Sequence, residues 1–114
     1  MRNPVRAIPE GCHSITPALT CKKAGRAMDF YKQVFNATKI MRMPGPDGKI
    51  MHAEPRIGDS VIFVADEFPG MSCAPTPGAT NPVYIFMYTE NVDATFNRAI
   101  ATNAKVDMPL MDQF

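Results

Sequence analysis

The feature that most constrains this chain is that it repeats itself. "TPALTC" (16–21) lines up with "YIFMYT" (84–89), and the helix-like segment entered at Lys23 lines up with one entered at Asn91. Asn36-Ala37 corresponds to Asn103-Ala104, and "MRMP" falls near "VDMP". The period is roughly 67 residues, so any fold must be built from two similar units.

The first copy reads as β-α-β-β-β. "CHSITPALTC" (12–21) is rich in β-branched and apolar residues, with Pro17 marking an edge or bulge. "AGRAMDFYKQVF" (24–35) carries Ala27, Met28, Tyr31, Val34 and Phe35 at helical spacing, and Asn36 suits a left-handed cap. "ATKIMRM" (37–43) is a strand, and "PGPDGK" is hairpin-turn chemistry. "KIMHAEPRI" alternates, with Ile50, His52, Glu54 and Arg56 expected on one face and Met51, Ala53 and Ile57 on the other. "VIFVAD" (61–66) returns as an apolar strand, and Asp66-Glu67 reads as a solvated turn.

The Pro- and Gly-rich stretch 67–82 is a linker. "VYIFMY" (83–88) then reads as a strand. Asn91 is placed to cap a helix whose stripe is Val92, Phe96, Ala99 and Ile100, and "KVDMPL" begins another strand. The expected organisation is a first module over 1–66, a linker over 67–82 and an incomplete βαβ module over 83–114. Two further strands, about 20–30 residues, would complete the second copy.

The segments "ITPALTCKKAGRAMDFYKQVFNA", "MRMPGPDGKIMHAEPRIGDSVIFVADE" and "YTENVDATFNRAIATNAKVDMP" resemble the vicinal oxygen chelate superfamily, in its glyoxalase-like branch. The superfamily includes glyoxalase I, extradiol dioxygenases and bleomycin-resistance proteins. The resemblance implies an α+β fold of tandem β-α-β-β-β modules, each curling its sheet into a half-barrel, the second truncated after β-α-β. It also implies a cup for a small ligand and a homodimer, in which modules of the two chains can swap. An unpaired sheet edge in the short second module would favour a partner chain as well. Lys23 stands where the family's first helix opens with an acidic or small polar cap, an unfavourable charge beside a positive helix end. Asn36 and Asn103 stand where glycine is commoner.

In metal-using relatives the ligands come from the first and last strands of each module. Those positions fall here on Thr16, Phe63 and Tyr84, none of which offers the His, Glu or Asp donor a divalent ion needs. No metal and no cofactor is therefore expected. His52 and Glu54, two apart on one strand, could share a face and reach one substrate. They are the candidate acid–base residues, against the plainer reading of a polar strip with Arg56. Tyr84, Phe86 and Tyr88 alternate on what the resemblance makes the cup face, where they would stack a flat or apolar ligand, or simply pack a core. The candidate ligand-binding set is Thr16, His52, Glu54, Phe63, Tyr84, Phe86 and Tyr88.

Composition excludes other classes. A net charge of +1 with scattered basic residues gives no nucleic-acid footprint. No apolar run approaches a membrane span or a signal peptide. Three cysteines without framework spacing point to a reducing cytoplasm. The expected function is binding of a small molecule in an apolar-aromatic cup without metal. The alternatives are a glyoxalase-like lyase or isomerase acting next to a carbonyl, and a truncated copy with no activity of its own.

Overall fold

The computed structural model describes residues 5–107 and 110. The chain forms strand β1 (Ala18–Cys21), helix α1 (Ala24–Phe35), strands β2 (Thr38–Pro44), β3 (Ile50–Ile57), β4 (Ser60–Val61) and β5 (Phe63–Asp66), and helix α2 (Val92–Ala101). The fold is α+β. One sheet runs in the order β1-β5-β3-β2, with β4 paired to β3. β1 and β5 are parallel; the β2–β3 and β3–β5 pairs are antiparallel.

The first-copy elements form where the sequence places them, with adjustments. β1 is shorter than expected and starts after Pro17, which leaves Thr16 half-buried just ahead of the strand. The expected strand 61–66 is broken at Ile62, whose N–H donates to the Pro55 carbonyl at 3.1 Å. α1 spans the expected residues. Asn36 closes it in the left-handed region (φ 55°, ψ 34°), and Asn103 repeats the device after α2 (φ 68°).

α1 covers one face of the sheet. Ala24 and Met28 pack on Ile50, Ala53, Ile62 and Val64, with Leu19, Cys21, Tyr31 and Ile57 around them. Burial pushes the Cys21 thiol and the Tyr31 phenol upward; a charge from Asp66 adds to the first and one from Cys21 to the second.

Asp66 corrects the sequence reading most sharply. It is 6% exposed, not a solvated turn. Its Oδ1 accepts the Ala24 N–H at 2.9 Å and its Oδ2 the Ile50 N–H at 2.7 Å. Lys23 offers no side-chain cap to α1. The acidic group that a helix start favours is supplied instead from the end of β5, across 42 residues of chain. Glu67 is half-buried too, and its Oε2 accepts the Ala74 N–H at 2.8 Å, which pins the start of the linker.

Ile50 is the second correction. The pairing runs Met43↔His52 but Pro44↔Ile50, so Met51 bulges out of β3. The alternation therefore resets. Ile50 joins Ala53 against α1 rather than sharing a face with His52. A second register shift leaves Ile40 extra on β2, beside Pro55, which has no N–H to give the ladder.

The second copy departs further. Residues 83–88 form no strand. Tyr84, Phe86 and Tyr88 are 79%, 85% and 92% exposed, because no described strand lies alongside to pair with them. Residues 105–107 form no strand either, and residues 108 and 109 of the same expected element lie outside the described ones. α2 forms, with Asn91 accepting the Ala94 N–H at 3.0 Å. Its expected stripe divides: Val92 and Ile100 are exposed and Phe96 and Ala99 half-buried, while Thr95 is buried and Arg98 donates to the Val34 carbonyl of α1 at 3.0 Å. Among the described residues no helix is long and apolar enough to cross a membrane.

Candidate functional site

The face of the sheet turned away from α1 carries the candidate site. Ala53 of β3 pairs with Val64 of β5, and both are buried under α1. Alternation then turns His52, Glu54 and Arg56 of β3, and Phe63 and Ala65 of β5, to the open face. Across β2 the register sets Met43 opposite His52 and Met41 opposite Glu54, so both thioethers stand on that face, each partly exposed.

Three of the expected residues meet directly. His52 Nε2 lies 2.9 Å from Glu54 Oε2, and the two side chains are 29% and 23% exposed. The His52 ring meets the Phe63 ring at 4.7 Å between centroids, inclined at 64°. Phe63 is anchored through its N–H to the Pro17 carbonyl at 2.9 Å, next to Thr16. Arg56 does not join the pair; its Nε donates to the Gly58 carbonyl at 3.2 Å. A carboxylate only accepts, so the His52–Glu54 contact requires the proton on Nε2. The His52 Nδ1 has no partner among the described residues.

Tyr84, Phe86 and Tyr88 stand apart from this cluster in their exposed segment, where the Phe86 and Tyr88 rings lie 6.1 Å apart. Met41 and Met43 were missed as site residues. Their signal was present, since both sit on the strand antiparallel to His52, but it needed the register. A cavity of about 200 Å³ lies elsewhere, between α1 and β2, lined by Met28, Asp29, Lys32, Lys39, Arg42 and Pro55 among others. It contains none of the expected ligand residues.

The chain matches the model of the Glyoxalase/Bleomycin resistance protein/Dioxygenase superfamily over residues 13–114. It belongs to that superfamily. An uncharacterized protein of Mycobacterium bovis is 38% identical over 104 residues, which cover 88% of this chain and 68% of that protein. An uncharacterized protein of Mycobacterium tuberculosis is equally similar, with 61% of its length covered, so the chain spans about three-fifths to two-thirds of these relatives. Among solved structures, TioX from Micromonospora sp. ML1 aligns with a TM-score of 0.66 and 27% identity over 87% of this chain and 79% of that one. The fosfomycin resistance protein FosX from Listeria monocytogenes shares the fold, with a TM-score of 0.53 and 16% identity over 82% and 73%.

The superfamily's metal chemistry can be tested against the residues present. The positions expected from the resemblance carry a hydroxyl at Thr16, a hydrocarbon ring at Phe63 and a phenol at Tyr84, which do not make the donor set of a divalent ion. Among the described residues no three His, Cys, Asp or Glu side chains are grouped closely enough to hold one. The residues do not fit the group, and no step is routed through it.

Proposed function

We propose that this member of the superfamily binds a small molecule on the open face of its first-module sheet, without metal. The observation that carries this is the contiguous surface of His52, Glu54 and Phe63, with Met41 and Met43 in register beside it. An aromatic edge, two adaptable thioethers and a fixed polar pair are what a cup for a flat, partly polar ligand requires. Thr16 stands at its rim. Tyr84, Phe86 and Tyr88 would extend the lining once residues 83–88 gain strand partners, as the module boundaries at 66 and 83 anticipate.

A homodimer is the natural source of those partners. The radius of gyration is 16.0 Å, against about 13 Å for a compact chain of this length. That excess fits a second module whose apolar segment is uncovered. Native mass spectrometry reads the oligomeric state, and a strictly monomeric chain would remove this part of the proposal.

The His52–Glu54 geometry also favours a second reading, a lyase or isomerase in which the oriented imidazole takes a proton next to a carbonyl. The two readings separate in one pair of assays. A thermal-shift screen of flat aromatic antibiotics, bleomycin included, reports binding; solvent deuterium uptake next to the carbonyl of a 2-oxoaldehyde reports catalysis. Binding lost in Phe63→Ala without deuterium uptake supports the binder. Uptake abolished by His52→Ala supports the enzyme. Neither signal leaves an inert copy.

A further inference from the structure

We infer that this site selects flat aromatic ligands bearing hydrogen-bond donors, such as an amino or amidinium group, against ligands bearing anions. The inference rests on the binding reading above and adds the ligand's chemistry to it.

The argument begins with the hydrogen-bond capacity left over. Glu54 Oε2 is engaged by His52, and among the described residues its carboxylate has no other partner. Its second oxygen can therefore only accept. Nδ1 of His52 also has no partner among the described residues. The carboxylate of Glu54 thus keeps an open acceptor at the polar centre of the face.

The neighbouring strand side chains add no donor. The strand residues beside it on that face are Met41, Met43, Phe63 and Ala65, which bring thioether, ring and methyl groups. Among the β3 residues of that face Arg56 is the cation. Its guanidinium is turned to the Gly58 carbonyl past the end of β3 and makes no ion pair with Glu54.

A ligand anion placed here would meet a half-buried carboxylate without a compensating donor, which is unfavourable. A donor or cation would complete a charge-assisted hydrogen bond to Glu54. The ring that carries it would lie against Phe63 and the two thioethers, contacts that both thioethers and aromatic rings favour.

Two probes of one ring system test this, 9-aminoacridine and acridine-9-carboxylate, titrated into the full chain by fluorescence at low ionic strength. The amine is expected to bind at least about tenfold more tightly than the carboxylate, a gap of about 1.4 kcal/mol. In Glu54→Gln, which keeps the shape and removes the charge, the ratio is expected to fall to about threefold or less. Equal or tighter binding of the carboxylate by the unaltered protein overturns the inference while leaving the binding face standing. An unchanged ratio in Glu54→Gln overturns it as well, because the preference then arises elsewhere. If neither acridine binds, the flat-ligand reading of the face fails together with the inference.

Discussion

Replacing Asp66 by alanine removes both acceptors that tie β5 to the first turn of α1 and to the start of β3. The amides of Ala24 and Ile50 lose their partners, and these residues are 0% and 1% exposed, so water does not readily take over. Each hydrogen bond to a charged group is worth about 1.5–3 kcal/mol. The pair then sets the cost of Asp66→Ala at about 3–5 kcal/mol, allowing for some relaxation. That is a large share of the roughly 5–15 kcal/mol that holds a domain together. Asp66→Asn is the sharper variant. It keeps the volume but only one oxygen, and its NH₂ must face one of the two N–H groups. A cost of about 2–3 kcal/mol is expected, from one lost bond and one donor set against a donor. Urea unfolding followed by circular dichroism at 222 nm measures both. Asp66→Asn within about 0.5 kcal/mol of the unaltered protein would show that the carboxylate is not the cap of α1, and the reasoning would fail.

Two further outcomes follow from the same structure. Cys21 and Tyr31 hold their protons more tightly when folded than unfolded. The stability they confer is complete below the unfolded thiol and phenol values and is lost as pH rises through the folded ones. The melting temperature is therefore expected to fall from about pH 8.5 upward, and less steeply in Cys21→Ala and Tyr31→Phe; a flat profile to pH 10.5 would refute it. Asn36→Gly, at φ 55°, is expected to be neutral to slightly stabilising, whereas Asn36→Ala costs about 1 kcal/mol; chemical denaturation giving the reverse order would contradict the left-handed cap.

Where the fold was legible, local rules carried the information. The apolar spacing of Ala27, Met28, Tyr31 and Val34 suffices to define α1, and Asn36 and Asn103 mark helix ends because few residues tolerate positive φ. The Pro-Asp-Gly turn needs only its own residues, and His52 and Glu54 share a face because a strand has period two. Other features were hidden because their cause lies far along the chain. Nothing near Asp66 signals that its carboxylate receives amides from residues 24 and 50. The displacement of Ile50 onto the α1 face arises from a bulge that exists only in the pairing of β3 with β2. The stripe on α2 was real as a pattern, yet Val92 and Ile100 stand exposed and it is Arg98 that reaches the Val34 carbonyl of α1.

By itself, then, the sequence determined the helices with their left-handed ends and the presence of His52 and Glu54 on one strand, since propensity and periodicity act within a few residues. Only the tertiary structure decided that two methionines join that pair and that Phe63 meets the His52 ring, that Asp66 is the missing cap, and that residues 83–88 form no strand among the described residues. The physical reason is the same in each case. A strand's register and a buried carboxylate's partners are set by atoms distant in sequence, and an aromatic segment becomes a strand only when another strand offers its hydrogen bonds.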